Sequence, residues 1–193
     1  MNKLNGTKTL ENICQAFLGE SQASNRYLYF APVAEKEGFI QISEAFKETA
    51  KHEQQHAKRL FKLAHGCDVK MEVGVSIPAI GTTEENLAGS ADGENYEHST
   101  MYPDFAKVAR DEGFENIAKI FDSIAIAEQY HEERFKAFRK NIQDGTVFKK
   151  DGGEKTTWKC LNCGYQHSGD EAPLVCPACE HKQEHFEVMP TNW

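Results

Sequence analysis

Along the first 141 residues, apolar side chains recur at intervals of three and four: Leu10, Ile13 and Phe17 in one stretch, Ala57, Leu60, Phe61 and Ala64 in another. That period lines side chains up on one face of an α-helix. Ala, Glu, Lys and Leu, all strong helix formers, are abundant over the same region. Glycines divide the pattern. Gly38 interrupts the first long stretch and Gly66 stops the second. A loop rich in Gly, Pro and Ser then runs from about Val69 to Gly81, Gly113 separates a third helix from a fourth, and Gly145 ends the fourth. Thr82 and Glu85 have the spacing of a capping box, which should start the third helix. Pro32 and Pro103 fall late in helices one and three, where each is expected to kink or terminate its helix.

The second helical pair repeats the first at an offset of 75 residues. Tyr27 corresponds to Tyr102, Phe30 to Phe105, Ala34 to Ala109, Gly38-Phe39 to Gly113-Phe114, and Phe46 to Phe121. Glu53 and His56 then correspond to Glu128 and His131. Two unrelated amphipathic helices share some apolar positions, but not matching Gly-Phe turns and matching polar residues. Two copies of a helical hairpin joined by a long crossover predict a mainly α fold, a four-helix bundle.

After Asn141 the character changes. Residues 144–155 are polar and Gly-rich and read as a linker between a bundle at 1–143 and a second unit at 156–193. That unit has aromatics, prolines and four cysteines without helical period, and it is too small to hold together by apolar burial alone. It needs a metal.

The whole chain of 193 residues carries 22 Lys+Arg against 30 Asp+Glu, a net charge of −8. An acidic chain argues against sequence-independent nucleic-acid binding. Mean hydropathy is −0.63, and the longest purely apolar stretch runs only from Tyr27 to Ala34. Neither a membrane span nor the apolar core of a signal peptide is expected. The reading is a soluble cytoplasmic protein, whose cysteines serve better as metal ligands than as disulfides.

Two Glu-x-x-His pairs stand out, Glu53/His56 and Glu128/His131. On a helix each pair shares one face and can reach one metal cluster. Glu20 precedes Glu53 by 33 residues, and Glu94 and Glu97 precede Glu128 by 34 and 31, separations that antiparallel helices bring to similar depth. Carboxylates along a core-facing stripe cost several kcal/mol each unless cations compensate them. A dinuclear carboxylate site follows, and oxygen-rich ligation with one imidazole per metal suits iron or manganese better than zinc. Five glutamates and two histidines exceed a four-plus-two set by one carboxylate. The surplus predicts ligation that changes with oxidation state, an anionic carboxylate suiting ferric iron and a neutral imidazole ferrous. Tyr27 lies two turns beyond Glu20 and either donates to a ligating carboxylate or is an ordinary buried tyrosine; Tyr102, its repeat partner, is read the same way.

Cys160-x-x-Cys163 and Cys176-x-x-Cys179 form a tetrathiolate pattern that fits iron or zinc. Trp158, Tyr165 and Phe186 can supply a small aromatic core. The neighbouring dimetal site favours iron, since a redox cluster needs an electron source, and a structural zinc ribbon is the alternative. Cys14 and Cys67 read as structural bystanders; His52, His65, His98, His167, His181 and His185 match no repeated spacing and read as solvated.

Taken together, Gly19-Glu20-Ser21-Gln22-Ala23, Glu53-x-x-His56, Glu94-x-x-Glu97, Glu128-x-x-His131, Cys160-x-x-Cys163-Gly164-Tyr165 and Cys176-Pro177-x-Cys179 resemble the rubrerythrin family over nearly the whole chain. The resemblance implies a ferritin-like di-iron four-helix bundle with a C-terminal rubredoxin-like Fe(Cys)4 module, and hydrogen peroxide reduction in the cytoplasm of an anaerobe or microaerophile. It implies that Glu20, Glu53, Glu97 and Glu128 hold one iron and Glu53, Glu94, Glu128 and His131 the other, Glu53 and Glu128 bridging. It further implies that His56 replaces Glu97 on reduction. A homodimer is implied too, with one subunit's rubredoxin-like module near the partner's di-iron site. Glu97, His56, Tyr27 and Tyr102 are thus the catalytic candidates. No Gly-rich nucleotide fingerprint occurs, so electrons should come from a separate rubredoxin or NAD(P)H-dependent reductase. The rival function is a ferroxidase or iron-handling protein, which would not need the cysteine module.

Overall fold

The computed structural model describes residues 3–150 and 155–191. Helix α1 (Lys8–Lys36) starts where the Thr7 hydroxyl accepts the Leu10 N–H, closing one of the open donors of the first turn. It continues through Pro32 and ends one turn later. So near the helix end, the proline leaves only one carbonyl without its usual partner, and the helix persists. Helix α2 spans Ile40–Leu63, and a long crossover without helix or strand leads to α3 (Thr83–Tyr96). That helix opens on the expected capping box between Thr82 and Glu85.

The expected third helix is not uniform. A π turn, Glu97–Met101, separates α3 from α4 (Tyr102–Asp111), and the Tyr102 N–H reaches back five residues to the Glu97 carbonyl. Pro103 sits in the first turn of α4, just after this wide turn, and does not end the helix. Helix α5 spans Glu115–Gln143.

The two hairpins turn identically. Gly38 and Gly113 take φ +82 and +84, a region open to glycine at little cost. Behind them the Phe39 N–H bonds to the Ala34 carbonyl (2.8 Å) and the Phe114 N–H to the Ala109 carbonyl (2.7 Å), the long-range bond of a Schellman ending. Each hairpin also caps the other. Glu112 accepts the Thr9 N–H at the start of α1 (2.8 Å), and Glu37 accepts the Thr83 N–H at the start of α3 (3.1 Å).

Helices α1 and α2 pack as one pair, and α5 packs against α3 and α4 as the other. Between them lie two apolar cores. One gathers Leu10, Ile13, Leu60, Tyr102 and Phe121; the other gathers Tyr27, Phe30, Phe46, Leu87 and Phe135. Along α1, α2, α3 and α5, the residues between these cores are the candidates Glu20, Glu53, His56, Glu94, Glu128 and His131. The bundle therefore holds a polar layer between two dry ones. No helix among the described residues is long and apolar enough to cross a membrane.

The C-terminal unit is a three-stranded antiparallel sheet of β1 (Thr156–Cys160), β2 (Gln166–Gly169) and β3 (Phe186–Val188), with β1 central. Trp158, Cys160, Ala172, Cys176 and Phe186 make its core, and the Trp158 indole donates to the Gly169 carbonyl at 3.0 Å. The stretch read as linker is partly packed. Val147 is buried, Phe148 joins the cysteine unit's core and stacks on Phe39 with ring centres 6.4 Å apart, and the Lys150 N–H bonds to the Asp170 carbonyl. Asp151-Gly152-Gly153 and Glu154, the most linker-like part of that stretch, lie outside the described residues.

Candidate metal centres

Four helices each place their acidic or imidazole side chains in the polar layer. Donor atoms of Glu20, Glu53, His56 and Glu128 lie within 4.8 Å of one another, and so do those of Glu53, Glu94, Glu128 and His131. Glu53 and Glu128 belong to both sets. His56 Nδ1 is 2.9 Å from Glu53, 2.9 Å from Glu128 and 3.9 Å from Glu20. His131 Nδ1 is 2.7 Å from Glu128, 3.0 Å from Glu53 and 3.8 Å from Glu94. Glu20, Glu53, Glu94, Glu128 and His131 are all buried.

The buried atoms point at common centres more than at each other. Glu20 Oε2, Glu53 Oε1, Glu94 Oε2, both Glu128 oxygens and His131 Nδ1 are buried without a well-aligned hydrogen bond, although several of them lie within 3.0 Å of a partner. Close approach with poor alignment is what donors sharing a bound cation show. Orphaned buried carboxylates are costly, and two cations would satisfy all of these atoms. The residues present fit a di-iron carboxylate–histidine group.

Electrostatics agrees. Burial, followed by the charges of the other glutamates, raises the Glu20 and Glu97 carboxyls well above their usual range, and burial takes Glu94 to about 8. Burial also works against ionised Glu53 and against charged imidazoles. The His131 and His56 contacts nevertheless hold Glu53 down at about 2, while Glu128 and Glu53 raise His56 to about 9 and His131 to about 12. Protons thus stand where metal charge would stand.

Glu97 is the exception among the sequence candidates. It is in neither set. It is half-buried and lines a cavity of about 570 Å³ with Gln22, Arg26, Tyr96 and Met101. Of the two side chains expected to compete for one iron, this conformation has His56 in place and Glu97 withdrawn. The π turn explains where Glu97 comes from. Thr9, Asn12, Ile13 and Glu20 of α1 match Thr83, Asn86, Leu87 and Glu94 at an offset of 74, whereas Tyr27 matches Tyr102 at 75. One residue is inserted between Glu94 and Tyr102, and the turn with five-residue hydrogen bonding is where it is absorbed.

Tyr27 donates its phenol proton to Glu94, and Tyr102 donates to Glu20. Each tyrosine thus holds the unshared carboxylate of the opposite hairpin. Two histidines read as solvated have partners instead. His52 Nδ1 lies 3.1 Å from His131 Nε2, the rings stacked 5.3 Å apart at 11°, and His98 bonds to buried Glu132 at 2.6 Å. His52 stands one turn before His56 on α2, so its helical spacing pointed here although no repeat did.

In the C-terminal unit the four sulfurs fall within 4.8 Å of each other. Two matching knuckles present them. The Gly164 N–H bonds to the Cys160 carbonyl and the Glu180 N–H to the Cys176 carbonyl, both at 2.9 Å. Gly164 and Glu180 both take positive φ, +77 and +60. That is strain for a glutamate, sustained where the surrounding structure fixes the turn. The His181 N–H is the main cause that lowers Cys179 to about 5; the Tyr165 N–H also favours the Cys163 thiolate, but the neighbouring thiols and burial outweigh it and raise Cys163 to about 12. A thiolate set of this geometry fits one mononuclear iron. Cys14 and Cys67 lie outside it, partly buried beside the core at the other end of the bundle.

Both units of the chain match known proteins. The family model for rubrerythrin matches residues 11–139, and that for the rubrerythrin rubredoxin-like domain matches residues 158–187. A rubrerythrin from Nitratidesulfovibrio vulgaris is 50% identical over the full length of both chains. One from Porphyromonas gingivalis is 47% identical, over all of this chain and 96% of its own. The structure of fully reduced, all-ferrous nigerythrin is 29% identical, with a TM-score of 0.60 over 98% of this chain and 94% of that one. An open-pore ferritin from Archaeoglobus fulgidus shares the fold alone, with a TM-score of 0.62 at 15% identity over 74% of this chain and 88% of its own.

Proposed function

The chain belongs to the rubrerythrin family, and on that premise we propose that it reduces hydrogen peroxide to water. Each turnover takes two electrons and two protons and yields two waters. In this proposal Glu20, Glu53, His56, Glu94, Glu97, Glu128 and His131 hold two irons, and Cys160, Cys163, Cys176 and Cys179 hold a third. The observation that carries it is the pairing of these two centres in one chain. Iron storage has no use for a one-electron relay, whereas a peroxidase must be re-reduced after each turnover.

Bound by the bundle's glutamates and histidines, a di-iron group would supply the electron pair for breaking the O–O bond, and an iron bound by the four cysteines would supply electrons singly. The remaining work falls to the chain's own residues. The two apolar cores keep bulk water from the polar layer. Tyr27 and Tyr102 fix Glu94 and Glu20 in place through their phenol protons. Glu97, withdrawn to the cavity wall in this conformation with its carboxyl pushed up by burial, holds a proton there that it gives up when it takes its place as a ligand. The electron donor in this reading is a separate rubredoxin or NAD(P)H-dependent reductase, and the active form is a cytoplasmic homodimer.

Anaerobic stopped-flow mixing of the reduced protein with peroxide and with dioxygen tests the proposal. Rapid oxidation by peroxide, slower oxidation by dioxygen and repeated turnover with an added donor are expected. Oxidation by dioxygen alone, with iron accumulating on the protein, would establish iron handling instead.

A further inference from the structure

The two candidate iron-binding histidines are equivalent in the repeat, but their surroundings are not. His131 Nδ1 faces Glu53, Glu94 and Glu128. Its other ring nitrogen, Nε2, meets His52 Nδ1 at 3.1 Å, with the two rings nearly parallel. The repeat carries His52 onto position 127 and His131 onto His56. Position 127 is alanine, so the prop beside His131 has no counterpart beside His56.

An imidazole that binds a metal through Nδ1 carries its proton on Nε2, and a partner accepting that proton fixes both tautomer and ring angle. His52 Nδ1, 3.1 Å away, accepts that proton when its own proton is on Nε2. His56 is also nearer solvent, with its side chain 17% exposed against 2% for His131. We propose that His52 is a positioning residue that makes His131 the permanent imidazole of the bundle centre, and that Ala127 leaves His56 the imidazole free to leave. This asymmetry is separate from the inserted Glu97 and lies on the two donor sets that are matched residue for residue. This inference rests on the ligand assignment proposed above and adds which histidine is fixed and by what.

Its test uses the full-length, iron-loaded protein and three variants: His52→Ala, His52→Gln and Ala127→His. Iron affinity is read by chelator competition, and ligation by Mössbauer spectra and crystal structures of both oxidation states. His52→Ala should weaken one of the two bundle irons by about 10–100-fold, the usual effect of losing such a partner, and leave the other nearly unchanged. His52→Gln keeps an acceptor and should restore most of the loss. Ala127→His should hold His56 on its iron in both oxidation states. Unchanged iron affinity in His52→Ala would overturn the proposal, as would equal losses in the Ala and Gln variants, since packing would then be the cause. A wild-type protein that holds both irons yet fails to reduce peroxide would refute only the activity; one that loads no bundle iron would refute both.

Discussion

The two helical hairpins of the bundle are copies that differ at a few positions, and the differences lie around the metal layer. In the first, α1 and α2, a regular helix places Glu20 seven residues before Tyr27. In the second, Glu94 precedes Tyr102 by eight, and the π turn takes up the extra residue. The position that matches Glu97, counted from the paired glutamates, is Ala23, a buried core residue. The turns, reciprocal helix caps, tyrosine donors and Glu-x-x-His pairs are shared. Duplication thus yields two matched donor sets, and a one-residue insertion adds Glu97, a carboxylate that the first hairpin lacks. Symmetry supports the scaffold, and asymmetry carries the chemistry.

The sharpest way to break this comparison is to remove the insertion. Deleting Thr100, an exposed residue of the π turn, should let α3 run regularly into α4. Glu94 would then precede the tyrosine by seven residues, as Glu20 precedes Tyr27, and keep its place in the layer. Glu97 would instead fall where Ala23 lies in the first hairpin, in the dry core, where a carboxylate is costly. Helical content by circular dichroism and bundle iron should largely persist, while the folded bundle loses stability and peroxide turnover falls. A deletion variant with two bundle irons and full turnover would show that the insertion is incidental.

The shared part of the scaffold should respond equally on both sides. Phe46 and Phe121 are fully buried repeat partners, each packed on its hairpin's tyrosine at 6.0 and 5.8 Å. Phe46→Ala and Phe121→Ala should each destabilise the bundle by about 3–5 kcal/mol in chemical denaturation. A difference between them larger than about 2 kcal/mol would mean that the two cores are not energetically equivalent.

Much of this was legible in the sequence, for physical reasons. The 75-residue repeat, the Gly-Phe turns and the capping box are local patterns, and each recurs as a local structure. The Glu-x-x-His pairs were legible because helical spacing fixes which side chains share a face. The π turn was not. A single offset of 75 matches Tyr27 and Glu53 but leaves Glu20 opposite Asn95, and only a second offset of 74 reveals the insertion. His52 was missed because its partner is on another helix and the repeat gives it none. Composition suggested a free linker at 144–155, yet Val147 and Phe148 are packed, because two apolar residues among polar ones suffice to anchor a short segment.

Protonation offers a gentler test of the paired cradles. In metal-free protein, His56 is raised from 6.5 to about 9, and Glu94 from 4.5 to about 8. Both folded values exceed their unfolded ones. The histidine's contribution is complete below about pH 6.5 and fades as pH passes its folded value, and Glu94 resists ionisation that the unfolded chain accepts. Both therefore make the metal-free bundle less stable as pH rises toward about 9. Glu53, held at about 2, acts only on the acid side, where its contribution is lost as pH falls below about 4.5. Iron replaces these protons, so its binding should tighten over the same rise. Scanning calorimetry should show the melting temperature of metal-free protein falling by several degrees between about pH 6 and 9, and that of iron-loaded protein holding. A flat metal-free profile would mean that the layer does not gather protons.

The smallest effect separates the hairpins at their turns. Gly38 and Gly113 have the same left-handed backbone, and alanine at either should cost about 1 kcal/mol for that reason alone. Their surroundings differ. A methyl group at 113 would meet open space, whereas one at 38 would come within 3.4 Å of Glu184 in the cysteine unit. Phe39, next to Gly38, also stacks on Phe148. The first hairpin's turn is thus both a helix ending and a contact with the cysteine unit, while among the described residues the second is a helix ending only. Gly113→Ala should lower bundle stability and leave re-reduction of the bundle irons unchanged. Gly38→Ala should lower stability by a similar amount and also slow that re-reduction, measured by stopped-flow with the cysteine centre pre-reduced. Equal re-reduction rates in the two variants would show that this contact holds the cysteine unit in place without setting the path its electrons take.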